Sequence, residues 1–271
     1  MRKFLCALLA VCLFCGCAAA GMKIGFLTKL NISEDEYKDI LISHRKTAGW
    51  HLLDEKHDDE DVVVFYDSLV DLQMALNRGD IDEASLPKVV AEYVLNTTSD
   101  FVAGSLEKRS RVYLSFGFSE RRGSSLRHLF NEALWDMEAD GTLSALQGKY
   151  LADPGLTEPE PVKIESFSDA QTLRVAVTGD LPPLDILAAD GTPAGFNSAV
   201  LAEIGRRLHV NIALMNIDAG ARSAALASGR ADVVFWYMSA RDYERDIDVP
   251  DGVLLSYPYY EWDKFLYLKK K

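Results

Sequence analysis

Arg241 and Arg245 stand four residues apart in Ser239-Ala240-Arg241-Asp242-Tyr243-Glu244-Arg245, directly after the apolar run Val233 to Tyr237. A guanidinium is a planar fork of donors that fits a carboxylate in a two-pronged grip. Each arginine therefore either pairs with Asp242, Glu244 or Asp246 on the surface or holds an anion from outside. Catalytic groups are scarcer. The five histidines (His44, His51, His57, His128, His209) are scattered and lack the spacing of metal ligands. His57 beside Asp58-Asp59-Glu60-Asp61 reads as a solvated acidic loop. An enzyme would need a general acid or base inside a cleft, and only Asp185 and Glu244 stand out as candidates.

All four cysteines, Cys6, Cys12, Cys15 and Cys17, lie near the amino terminus. There Arg2 and Lys3 precede the apolar run Phe4 to Phe14 and the small residues Gly16 to Gly21. This is the pattern of a secretory signal peptide over 1–21, too short to span a bilayer comfortably. Two cleavage modes fit. Leu13-Phe14-Cys15-Gly16-Cys17 resembles a bacterial lipobox with Cys17 as the lipidated residue, and this is the favoured mode. Ala18-Ala19-Ala20 offers an ordinary site. Either way the body is left without cysteine, so thiol chemistry is excluded and no disulfide is expected despite export.

The elements that position these residues alternate between strand and helix patterns. Met22 to Leu27 and Val62 to Tyr66 read as strands, the latter apolar throughout as in a strand covered on both faces. Ser33 opens a capping box, Ser68 to Asn77 is helical, and Pro87 to Leu95 is a helix begun by proline. Val112 to Phe118 is a strand, followed by a helix with Leu126, Leu129, Phe130, Ala133, Leu134 and Met137 on one face, ending near Gly141. Pro, Gly and Glu then crowd Asp153 to Pro161, which predicts an extended linker over 152–172. The alternation restarts with strands at 173–177, 211–215, 233–237 and 264–268 and helices at 197–208 and 221–228. The fold class expected is α/β with parallel sheets. A net charge of −12 sets nucleic acid aside as a partner, and 48% hydrophobic residues are enough for a packed core.

An octamer repeats. Ala75-Leu76-Asn77-Arg78-Gly79-Asp80-Ile81-Asp82 and Ala225-Leu226-Ala227-Ser228-Gly229-Arg230-Ala231-Asp232 both read A-L-x-x-G-x-x-D. Each follows a strand and helix and precedes a strand, with the glycine suited to a left-handed helix end. The repeat predicts two related lobes.

These residues resemble the bacterial extracellular solute-binding proteins of family 3, the periplasmic amino-acid-binding type. Leu173 to Ile217 resembles that family's first lobe, most clearly in Asp190 to Asn197 and in Ser256-Tyr257-Pro258-Tyr259-Tyr260. Residues 22–111 resemble its second lobe, and 112–151 its return strand and closing helices. The resemblance implies a two-lobed type II clamp in circularly permuted order, with a first-lobe-like domain over 173–271. It implies capture of a small polar, amino-acid-like solute in the interlobe cleft, delivery to an ABC transporter permease, no cofactor, no metal, no catalysis, and a place in the periplasm or at the cell surface. A dehydratase-like enzyme and a sensor or interaction module on the same fold are the alternatives. A monomer is expected, with a domain-swapped dimer as the rival.

By the same resemblance Arg245, assisted by Arg241, meets the anionic group of the solute and Ser239 adds a hydroxyl. Trp236 and Tyr237 supply an apolar wall, with core packing as the other reading for Trp236. Thr28 and Asn31 offer contacts from the second lobe. The family's amine-binding acid falls on Pro87 and its stacking aromatic on Leu184, which leaves Asp185 to supply a carboxylate.

Overall fold

The computed structural model describes residues 22–27, 62–152, 159–239 and 249–271, without the side chains of Arg109, Ser110 and Trp236. Cys17, Thr28, Asn31, Arg241, Arg245 and the capping box at Ser33 lie outside the described residues. The elements run β1 (Lys23–Leu27), β2 (Val62–Tyr66), α1 (Leu69–Arg78), β3 (Glu83–Pro87), α2 (Lys88–Thr97), β4 (Phe101–Ser119), α3 (Ser124–Ala139) and α4 (Thr142–Leu151). Then come β5 (Thr172–Val177), β6 (Asp180–Leu181), β7 (Asp185–Leu187), β8 (Pro193–Ala194), α5 (Phe196–Leu208) and β9 (Asn211–Asn216). A 3-10 turn, α6 (Arg222–Ser228), β10 (Val233–Ser239), β11 (Val253–Leu255) and β12 (Tyr260–Lys270) complete the chain.

One sheet carries the order β2-β1-β3-β12-β4-β10-β5-β9, with β11 added to β4. It contains the same pattern twice. One half reads β2-β1-β3-β12-β4 and the other β9-β5-β10-β4-β11. In each, the first strand of the half lies parallel between its two neighbours. An antiparallel strand from far along the chain follows. The α/β class expected from the alternation is what the chain forms. β10 and β11 pair with β4 over 113–119, and β12 pairs with β4 on one side and β3 on the other.

The repeated octamer does the same work in both halves. Gly79 and Gly229 end α1 and α6 at φ +78° and +73°, a conformation that costs a residue with a Cβ. The aspartate three residues later then turns to the first strand of its half. Asp82 accepts from the Lys23 backbone N–H at 2.8 Å, and Asp232 from that of Arg174 at 2.9 Å. Asp232 also grips the Arg174 guanidinium at 2.7 Å. Burial raises the Asp232 pKa, but the Arg174 hydrogen bonds and charge outweigh it and hold the carboxylate below its usual range. Asp82→Ala and Asp232→Ala should each lower stability by about 1–2 kcal/mol, Asp232 more, as read from denaturant midpoints at pH 7. Equal stability of both variants with the wild type would contradict this shared role.

Two expectations need correction. β2 lies at the end of the sheet and is only half-buried, so its apolar run is not a strand covered on both faces. Periodicity cannot tell those cases apart. β4 runs from Phe101, far ahead of the expected start, because Phe101 to Ser110 lacks alternation yet still pairs with β12. α3 ends at Ala139, near Gly141 as expected, and Gly141, at φ +81°, then opens α4. The described part of the linker is extended but docked: Val162 donates to the Pro193 carbonyl at 2.7 Å, and Asn211 accepts from the Phe167 N–H at 2.7 Å.

The core is continuous across the sheet and centres on Phe116, whose ring stacks on Tyr259 at 4.6 Å and meets Phe130 edge-on at 5.4 Å. The Ser256 to Tyr260 segment is stitched to β4. The Phe116 N–H donates to Ser256 Oγ, Ser256 N–H to the Phe116 carbonyl, and Tyr259 N–H to the Leu114 carbonyl, each at 2.9 Å.

Candidate functional site

The two halves point their strand ends at each other. β10 runs antiparallel to β4 and ends with Ser239 opposite Tyr113. β3 runs antiparallel to β12 and ends with Pro87 opposite Phe265, which in turn faces Glu107. Between Glu107 and Tyr113, β4 passes from one half to the other beside β12, whose register shifts between Trp262 and Lys264. The carboxyl ends of the parallel strands therefore converge on this two-stranded crossover. In open α/β sheets that is where ligands bind.

Arg111 meets Glu261 at 3.1 Å and Lys108 meets Asp263 at 3.4 Å across the crossover. The Glu261 charge first, and a hydrogen bond with Tyr113 second, hold the exposed Arg111 above its usual pKa. Exposed pairs of this kind add little stability. Their value is in fixing the two strands side by side.

The described candidate residues separate. Ser239 is half-buried at the end of β10, at the convergence. The Trp236 backbone belongs to the same strand. Tyr237 is fully buried: its ring packs on Gly117, leaving no room there for a Cβ, and its hydroxyl lies 3.4 Å from Ser223 Oγ. Asp185 is 1% exposed, and its carboxylate accepts from Thr178 Oγ1 at 3.0 Å and the Gly179 N–H at 2.9 Å. It holds the turn after β5 from inside the lobe. Polarity alone marked it, and polarity does not give direction.

Other residues at the convergence carried no function in the sequence reading. Tyr260, in β12, packs edge-on to Phe196 at 5.4 Å and lies 5.8 Å from the Trp262 ring. Burial, and then the Glu92 carboxylate, push Tyr260 up to about 12. Glu92 itself pairs with Lys88 at 2.5 Å. Arg222, fully buried at the start of α6, places its guanidinium 4.7 Å from the Tyr237 ring centre and donates to the Ala219 carbonyl at 3.0 Å. Tyr260 was visible as part of the Ser256 to Tyr260 motif. Arg222 gave no signal inside a helical pattern.

The raised tyrosine has a consequence in alkali. A group whose folded pKa exceeds its unfolded value contributes fully below the unfolded value, near pH 10, and loses that contribution as pH climbs through about 12. Tyr260 should then account for about 2–3 kcal/mol of lost stability over that window. Denaturant midpoints from pH 9 to 12 should fall less steeply in Tyr260→Phe than in the wild type. Identical slopes would contradict the assignment.

A cavity of about 420 Å³ lies at the other end of the same half, lined by Arg122, Leu126, Leu129, Leu173, Leu208 and Asp232 among others. Leu173 and Asp232 belong to the amino ends of β5 and β10, so it is remote from the convergence. Among the described residues no three or more His, Cys, Asp or Glu groups are placed to hold a metal ion, and no helix is long and apolar enough to cross a membrane.

Comparison with known proteins finds a family match over the carboxyl-terminal segment. Residues 173–271 match the bacterial extracellular solute-binding proteins, family 3. No curated protein matches the chain in sequence. Among solved structures, the periplasmic aliphatic sulphonate binding protein SsuA from Escherichia coli is similar at 14% identity and a TM-score of 0.42, over 92% of this chain and 65% of that one. The alkanesulfonate-binding protein SsuA from Xanthomonas axonopodis pv. citri, bound to MOPS, gives 12% identity and 0.42 over 93% and 66%. The methionine binding protein MetQ gives 13% and 0.42 over 93% and 84%. The chain thus spans just under two thirds of the length of the first two. Likeness this distant says nothing about which solute is bound. The family-3 match covers β5 to β12, and so includes β10 with Ser239 and β12 with Tyr260.

Proposed function

We propose that this chain is the solute-binding component of an ABC-type importer, exported by the signal within its first 21 residues and held at the membrane surface by lipid on Cys17 after cleavage before that residue. Its two lobes close on a small polar, amino-acid-like solute, and it works with a transporter permease rather than as an enzyme. Residues 22–111 form one lobe, and 112–151 with 173–271, less the crossing strand β12, form the other. The segment 152–172 joins what are the two chain ends in the family's usual order, which makes this a circular permutation. The observation that carries the reading is the convergence of two like half-sheets on the β4–β12 crossover, with the family-3 match on one of them. Two strands form a narrow bridge, and hinge closure about such a bridge is a common way to enclose a ligand.

Arg245 with Ser239 takes the anionic group of the solute, with Arg241, Trp236, Thr28 and Asn31 around it. Tyr237 supports this wall from behind, and Asp185 shapes the turn at its edge. The test is thermal melting of the exported protein against amino acids, dicarboxylates, sulfonates and sugars. A solute at 100 times its Kd should add about 2.7 kcal/mol of stability. Arg245→Ala should then weaken binding by roughly 10- to 150-fold, the loss of one charged hydrogen bond. No stabilisation by any solute would overturn the reading. Turnover of a bound solute would move it to the enzyme class.

A further inference from the structure

The apolar stripe of α3 runs one turn past the core it packs on. Leu126, Leu129, Phe130, Ala133, Leu134 and Met137 share one face of the helix. The last four are buried, but Leu126 is half-buried and Leu129 is 44% exposed. Both leucines line the cavity of about 420 Å³ at the amino ends of β5 and β10. α5 supplies Leu208 to it, and the left-handed turn at His209 adds Val210, both half-buried. Leu173 and Ala231, buried beside the strand starts, complete the apolar lining. Cavities of about 300–1,000 Å³ with an apolar lining and a few fixed polar groups are the usual form of a small-molecule site.

The fixed polar group here is Arg122, which is exposed and lines the same cavity. Its Nη2 donates to the Leu226 and Ala227 carbonyls at 2.8 and 3.2 Å, and its guanidinium lies so close over Gly229 that a Cβ there has no room. These contacts hold the guanidinium in place through neutral groups, so its charge is not cancelled by them. Asp232 also lines the cavity, but Arg174 occupies it: the backbone N–H and Nε reach Oδ2 at 2.9 and 3.0 Å, and Nη2 reaches Oδ1 at 2.7 Å. Two guanidiniums against one carboxylate leave this end of the cavity positive.

We propose that this cavity is a second binding site, remote from the strand-end convergence, for a small carboxylate with an apolar body. Arg122 takes the carboxylate, and Leu126, Leu129, Leu208 and Val210 enclose the body. A guanidinium already oriented by the chain loses little freedom when it grips a carboxylate. The apolar body covers the part of the α3 stripe that the core leaves open. A cation is disfavoured by the positive end of the cavity, and a neutral chain forgoes the charged hydrogen bond. The site goes beyond the clamp reading and does not depend on it.

The test is calorimetric titration of the exported protein with octanoate. Butyrate serves as the short-chain arm, octanol as the neutral arm and octylamine as the cationic arm. Burying a methylene tightens binding by about 4-fold, so octanoate should bind at least roughly 10-fold more tightly than butyrate. It should also exceed octanol and octylamine by roughly 10-fold. Arg122→Gln should remove the preference for octanoate over octanol. Leu129→Trp, which fills the cavity from its exposed side, should abolish octanoate binding while the free protein melts as the wild type does. The same variant should bind any solute of the interlobe cleft with unchanged affinity, which separates this site from that one. Should Arg122→Gln fail to fold, Leu129→Trp decides alone. No binding of octanoate, equal binding in Leu129→Trp, or octylamine binding as tightly as octanoate would overturn the proposal.

Discussion

Arg222→Ala should cost the protein about 3–5 kcal/mol, among the largest losses available from one substitution. The arginine is 1% exposed. Its guanidinium donates to the Ala219 carbonyl and lies over the Tyr237 ring. A hydrogen bond from a charged group contributes about 1.5–3 kcal/mol and a desolvated cation–π contact about 2, and truncation also leaves a void over Tyr237. The effect should reach the site, because Tyr237 lies two residues before Ser239 on β10. Urea unfolding should show a lower midpoint with an unchanged slope. Arg222→Lys should recover only part of the loss, since ammonium lacks the flat face that rests on the ring. A midpoint change equivalent to less than 1 kcal/mol in the alanine variant would show that the contacts around Arg222 are not what hold α6 to β10.

Phe116→Ala should cost a similar 3–5 kcal/mol, by a different route. Phe116 is wholly buried near the carboxyl end of β4, against Phe130, Phe235 and Tyr259. Removing the ring opens a cavity among three aromatic neighbours that cannot collapse into it without losing their own contacts. Phe116→Leu should cost less, because most of the volume remains. β4 belongs to both halves and the core is continuous through it, so both variants should unfold in one transition. Two resolved transitions, or a loss under about 1 kcal/mol for alanine, would contradict a shared core.

The repeat at 75–82 and 225–232 was legible because its function is local: a glycine in a left-handed turn and an aspartate reaching the adjacent strand end. Short-range patterns of that kind survive in sequence. The length of β4 did not, since residues 102–108 lack the alternation of a half-buried strand and are mostly exposed, with pairing supplied by β12 from some 160 positions away. α4, beyond Gly141, was expected only through the resemblance to the family's closing helices, because its residues show no helical periodicity of their own. Of the candidate site residues, Ser239 and the Trp236 backbone fall at the convergence of the strand ends, and Thr28, Asn31, Arg241 and Arg245 lie outside the described residues. Asp185 looked available because a carboxylate in a Pro-rich turn is usually exposed, whereas here the Thr178–Gly179 turn encloses it.

The central claim is that the crossover is a hinge between two lobes that close on a solute. Residues 22–271 contain no cysteine, so spin labels attach only where cysteines are placed. Val70→Cys on α1 and Leu129→Cys on α3, both exposed, put one label on each side of the crossover. The interlabel distance distribution should be measured by pulsed electron resonance, with and without the solute that raises the melting temperature most. The account predicts a broad distribution in the free protein that narrows to one shifted distance, by several ångströms, when solute is bound. A distribution unchanged by a solute that stabilises the protein would contradict it.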